Sequence, residues 1–257
     1  MRQHAGVPWR LAAGALAATV AIAALACDEG GPQAPSARTP GETATAAIPG
    51  RAQEVTLHGV VTLDGAPPDA QFLGARVVRD GLVTACQNVI PRVTQGRYEI
   101  TVAADAEVRG CGAPGAEVVL WIYTDRFIFS SSTIEWPGDG ATVEFDASFS
   151  TLAPAGASKP VTEFKGHLYD RDGAQLPPGT VLEAYIGGVR CGVTSLRYGE
   201  QNERFYTLAV VGPDSVPGCH GGAQISFRLD GRTATQTAVN DFGAGRDPDQ
   251  VLDLIRS

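Results

Sequence analysis

Five cysteines and four histidines are the residues of this chain with the most reactive chemistry. Cys86, Cys111, Cys191 and Cys219 could act as thiolate ligands, as nucleophiles or as two disulfides. Zinc would need four ligands, and these cysteines lack Cys-x-x-Cys or Cys-x-x-His spacing. The histidines are scattered. His4 lies near the start, His58 precedes Gly59, His167 follows Gly166 and His220 follows Cys219. No G-x-S-x-G, H-E-x-x-H, P-loop or dinucleotide fingerprint is present. Asp170-Arg171-Asp172-Gly173 opens like a calcium loop but lacks the further oxygen ligands and the closing glutamate. It reads better as an Asp-Gly turn. The sequence nominates no catalytic residue, no metal and no cofactor, and the expectation is a protein that is not an enzyme.

What positions the cysteines is a repeat. Tyr98 lies thirteen residues before Cys111, and Tyr206 lies thirteen before Cys219. Cys86 matches Cys191, Asp64-Gly65 matches Asp172-Gly173, and Gly59 matches Gly166. A repeat of about ninety residues is domain-sized. The expected organisation is a signal peptide over 1–26, a lipidated cysteine and disordered tether over 27–53, a first copy over 54–150, a linker over 151–161 and a second copy over 162–257. The repeat pairs four cysteines as Cys86–Cys111 and Cys191–Cys219. An exported, oxidising setting favours disulfides over zinc. Each would add about 3 kcal/mol on the chain-entropy account.

The start of the chain supplies that setting. Arg2 and Arg10 precede a sixteen-residue run of apolar and small residues, Leu11 to Ala26. This is the shape of a secretory signal, and it is short for a membrane span. Ala24-Leu25-Ala26 fits ordinary cleavage. With Cys27 the same stretch resembles the lipobox of bacterial lipoproteins, in which the cysteine becomes the lipidated first residue. Cys27 is also the one cysteine the repeat leaves over, and a free thiol on an exported protein is a liability. The expected location is the outer side of the cytoplasmic membrane or the cell surface, with plain secretion as the alternative. Asp28 to Gln53 has almost no large apolar residue and cannot bury enough surface to fold. It would reach ~25–30 Å as a flexible tether. Net charge is −8 with 20 Lys plus Arg and no basic cluster, which argues against nucleic acid.

Alternating apolar runs bounded by Gly, Pro and Asp recur every 8–12 residues. Strands are expected at 55–63, 98–102 and 143–145, and again at 164–169, 181–186, 206–210, 225–229 and 251–255. Regular short strands with such turns predict an all-β fold of two tandem immunoglobulin-like or transthyretin-like β-sandwiches. Copy two carries Gly166, Asp172-Gly173, Pro177-Pro178-Gly179-Thr180, Tyr185-Ile186-Gly187-Gly188, Cys191-Gly192, Tyr206, Cys219, Gly222-Ala223 and Phe227. This pattern resembles the transthyretin-like or carboxypeptidase-regulatory-like repeats of bacterial surface proteins. The resemblance implies spacer, adhesion, binding or enzyme-accessory modules and no catalytic motif.

One contrast separates the copies. After the second cysteine, Val118, Leu120 and Ile122 match Ile225, Phe227 and Leu229, alternate residues that should face a core. The other face reads Val119, Trp121, Tyr123 in copy one but Ser226, Arg228, Asp230 in copy two, with Phe127 and Phe129 following in copy one. A large apolar face must be covered or used. Trp121, Tyr123, Phe127 and Phe129 are therefore the candidate binding or inter-domain face. The leading expectation is a structural or protein-binding module, and the alternative is a glycan-binding or enzyme-accessory protein using this face.

Overall fold

The computed structural model describes residues 54–68, 71–87, 90–124, 127–152, 161–199, 202–241 and 250–257. The signal, Cys27, the tether and 153–160 of the linker lie outside these residues. In copy one, β1 (Val55–Leu63) alternates along its length, so that Val55, Leu57 and Val61 are fully buried. It pairs antiparallel with β4 (Arg97–Val102) and parallel with β7 (Thr142–Glu144) and β8 (Ala147–Phe149). The facing layer is antiparallel, in the order β3 (Leu82–Ala85), β2 (Phe72–Arg79), β5 (Glu117–Tyr123), β6 (Phe127–Glu135). Leu73, Ala75 and Val77 of β2 meet Ile122, Leu120 and Val118 of β5 in the core between the layers.

Copy two repeats the plan. One layer runs β13 (Arg197–Tyr198), β14 (Arg204–Val211), β9 (Val161–Gly166), β17 (Gln250–Val251). The other runs β12 (Val189–Ser195), β11 (Val181–Ile186), β15 (Gln224–Leu229), β16 (Arg232–Val239). The short β10 (Leu168–Tyr169) and β18 (Leu254–Ile255) pair in parallel beside them. Cys86 is bonded to Cys111 and Cys191 to Cys219, closing loops across 25 and 28 residues. The four thiols that a zinc site would need are thus spent. Among the described residues there is no group of three or more potential metal ligands.

The duplication extends to a corner device. Gly59 pairs with Tyr98 and Gly166 with Tyr206. The tyrosine hydroxyls donate 2.5 Å hydrogen bonds to the carbonyls of Phe145 and Leu252. Those carbonyls lie against the glycine Cα atoms, where an added Cβ would collide with them. The next residue supplies a carboxylate: Asp146 Oδ1 accepts from Val60 N at 2.7 Å, and Asp253 Oδ1 accepts from His167 N at 2.9 Å. This corner corrects the strand expectation at 164–169 and 251–255. Each is two short strands, because Gly166-His167 and Leu252-Asp253 turn together at the contact.

Burial pushes both hydroxyls above the ordinary phenol value of 10, and the nearby carboxylates Asp146 and Asp253 add to it. Each tyrosine therefore donates as a neutral group. The unfolded phenol ionises near pH 10 while the folded one stays protonated. The stabilisation is complete below pH 10 and is lost as the pH rises above it. Tyr206→Phe, which leaves the half-buried Leu252 carbonyl without this donor, should cost about 1 kcal/mol. Urea titration at pH 7 and pH 11 checks both: the variant's deficit should shrink at the higher pH.

Candidate functional site

The sheet β3-β2-β5-β6 carries an aromatic face. Gly74, Trp121 and Phe129 lie side by side across β2, β5 and β6, and Phe72, Tyr123 and Phe127 form the next row. The Trp121 indole lies directly over Gly74, the position at which an added Cβ would overlap the ring. Phe127 stands edge-on to it, with centroids 4.9 Å apart and planes at 83°. Trp121 is 6% exposed and packs against Gly74 and Phe127 of its own sheet. Tyr123 also meets Phe127 edge-on, at 5.2 Å and 65°. Phe72 forms the outer rim, 41% exposed, with the Arg92 guanidinium 4.5 Å above its ring. In copy two the row of Gly74 and Trp121 is occupied by Glu183 and Arg228. There Glu183 pairs with Arg190 and Arg228 covers Tyr185. A salt-bridged polar surface and an aromatic one are thus alternatives on the same scaffold. Gly74→Ala should cost about 1–3 kcal/mol by forcing the indole to move, measurable as a lowered urea midpoint.

The second surface is the seam between the copies, built by residues that sequence reasoning did not single out. Thirteen positions separate Leu73 from Cys86, but nine separate their equivalents Leu182 and Cys191. The four additional residues lengthen the β2–β3 hairpin of copy one. Asp80 and Gly81 turn its tip with φ of 52° and 78°. Leu82 and Val83, beyond the turn, are buried in the hydrophobic cluster of copy two, with Val78 packed against it. At Gly81 a Cβ would come 2.5 Å from the Ser215 carbonyl oxygen. β3 is short and buried at all four positions, with Leu82 and Val83 in the cluster of copy two, so its sequence shows no alternation.

Polar groups fix the seam. Thr84 Oγ1 donates to the Val193 carbonyl at 3.2 Å, and Arg109 N donates to Ser195 Oγ at 3.2 Å. Arg197 reaches from copy two to the carbonyls on either side of Cys86, Gln87 at 2.9 Å and Ala85 at 3.4 Å. Burial lowers its guanidinium to about 10, a loss that the charge of Glu107 partly offsets. Arg76 and Glu163 form an ion pair across the seam, with each side chain 7% exposed. The Arg76 guanidinium also lies 4.9 Å from the Phe129 ring and 5.7 Å from the Phe127 ring. The aromatic face therefore backs the arginine that binds copy two. Copy two reaches this face through Glu163.

A cleft of about 40 Å³ opens on the seam, lined by Arg79, Asp80, Leu82, Arg109, Gly110, Arg190 and Val193. That is far below the several hundred Å³ of a drug-sized ligand pocket. Its arginines are already engaged: Arg79 and Arg109 share Asp105 at 2.7 and 2.9 Å, and Arg190 holds Glu183 at 3.1 Å. Of the histidines, His167 pairs with Asp253 at 3.2 Å, and His220 is exposed. No constellation of nucleophile, base and oxyanion donors forms among the described residues.

No protein-family profile matches the chain, and no curated protein matches it. Solved structures that resemble it include a candidate cell adhesion protein from Bacteroides ovatus, at 12% identity over 80% of this chain and 92% of that one, TM-score 0.25. The shaft pilin SpaA of Lactobacillus rhamnosus GG shows 10% identity over 80% of this chain and 98% of that one, TM-score 0.23. A streptococcal ancillary pilin shows 9% identity over 82% and 64%, TM-score 0.22. At these scores the likenesses carry no argument about this chain.

Proposed function

We propose that the protein is an exported, non-enzymatic surface module in which two β-sandwich copies, of the transthyretin-like or carboxypeptidase-regulatory-like kind, form one stiff arm. The observation that carries this reading is the use of the cysteines. Four are consumed in two buried disulfides, which an oxidising compartment favours. The fifth, Cys27, stands at the end of a signal-like stretch, where a thioether-linked lipid would remove the odd thiol. In this reading a lipid on Cys27 holds the chain at a membrane, residues 28–53 act as the tether, and the arm presents its outer surfaces to a protein partner. The aromatic face favours a protein over a glycan. Its central indole is buried and its rings meet edge-on, so no flat stacking platform is offered.

Cell fractionation and metabolic labelling with a fatty acid test the proposal. Wild type should carry label and sediment with membranes, and Cys27→Ser should lose both. A mature protein that begins upstream of Cys27, or a Cys27→Ser variant that sediments unchanged, would overturn the anchor. Secretion of a soluble, disulfide-bonded protein in both cases would leave the exported module without its membrane.

A further inference from the structure

We propose that the lengthened β2–β3 hairpin of copy one is a docking finger with a specific seat on copy two, and that this pair holds the copies at one fixed angle without help from the linker. It stands independently of the lipid anchor. The finger is the segment Val78–Val83. Its Leu82 and Val83 are part of the apolar cluster of copy two, although they belong to copy one in sequence. Its turn presses Gly81 against Ser215, close enough that only glycine fits there. The seat is formed by the loop that the Cys191–Cys219 disulfide closes, since Val193, Ser195, Arg197, Ser215 and Val216 all lie within it. The loop closed by Cys86–Cys111 supplies the flanks, through Gln87 and Arg109. Each disulfide thus shapes one side of the joint.

A linker alone would hold two unattached domains near each other only through effective concentration. The seam instead has the anatomy of a permanent interface: an apolar centre, a desolvated ion pair and hydrogen bonds around them. Neither disulfide crosses it, so no covalent bond other than the linker joins the copies among the described residues.

The full chain is folded with a site for a specific protease placed within 153–160, then cleaved. The two halves should co-elute in size-exclusion chromatography at micromolar concentration, under non-reducing conditions. Separation of the wild-type halves would overturn the proposal. Val83→Asp places a charge in the apolar seat and should weaken the association about a hundredfold or more. Co-elution of Val83→Asp halves with wild-type affinity would show that the finger is not the docking element. Should that variant fail to fold, as judged by circular dichroism and loss of its disulfides, Gly81→Ala serves in its place. It should weaken association at least tenfold, and wild-type affinity would again refute the assignment.

Discussion

Glu163→Ala should lower the unfolding free energy by about 3–5 kcal/mol, among the largest losses available to any single surface-to-seam substitution in this protein. The cost is electrostatic. Arg76 and Glu163 are each 6% exposed, and removing the acid leaves a guanidinium stranded where water is scarce. Contact with the rings of Phe127 and Phe129 softens the loss but cannot replace an anion. A double variant, Arg76→Met with Glu163→Leu, should recover most of the stability, since well-packed apolar pairs replace buried ion pairs at little cost. Guanidinium chloride melts of the single and double variants decide the matter. A single-variant loss below about 1 kcal/mol, the range of an exposed pair, would mean that the seam is open to water.

Trp121→Ala should cost a similar amount, about 3–5 kcal/mol, by a different route. The indole fills the space over Gly74 and supports Phe127, so its removal leaves a cavity in the outer face of copy one. The loss belongs to copy one, and the cleaved halves of this variant should still associate. Glu163→Ala halves, in contrast, should part more readily. If Trp121→Ala separated the halves as strongly as Glu163→Ala, the indole would have to be part of the seam.

Much of the architecture was legible because it is written twice. Matching Cys86 with Cys191 and Tyr98 with Tyr206 was sufficient to pair the disulfides and align the layers. The alternation of Val118, Leu120 and Ile122 located the core face of β5. Short elements without a clear alternation were not legible. Leu82–Ala85 has no alternation to detect, and the short β8 shows little pattern. The seam was hidden for a related reason: a buried Glu163 and an exposed glutamate are the same letter. One signal was available and informative, the thirteen-against-nine spacing between the equivalent leucine and cysteine. Gly74 opposite a tryptophan was another, since a ring lying over a strand needs a bare Cα beneath it. Asp146 and Asp253 were missed because the corner joins residues 86 positions apart.

The finger has a direction. Copy one inserts it, copy two receives it, and the equivalent hairpin of copy two ends in Gly187-Gly188, exposed and with nothing to insert. Two units joined in this way are a matched plug and socket rather than links of an extensible chain. A third unit added after copy two would find no plug to hold it, and would hang from its linker alone. Lengthening such an arm while keeping it stiff would require more than another duplication: the four residues that lengthen the first hairpin would have to be inserted into the second as well.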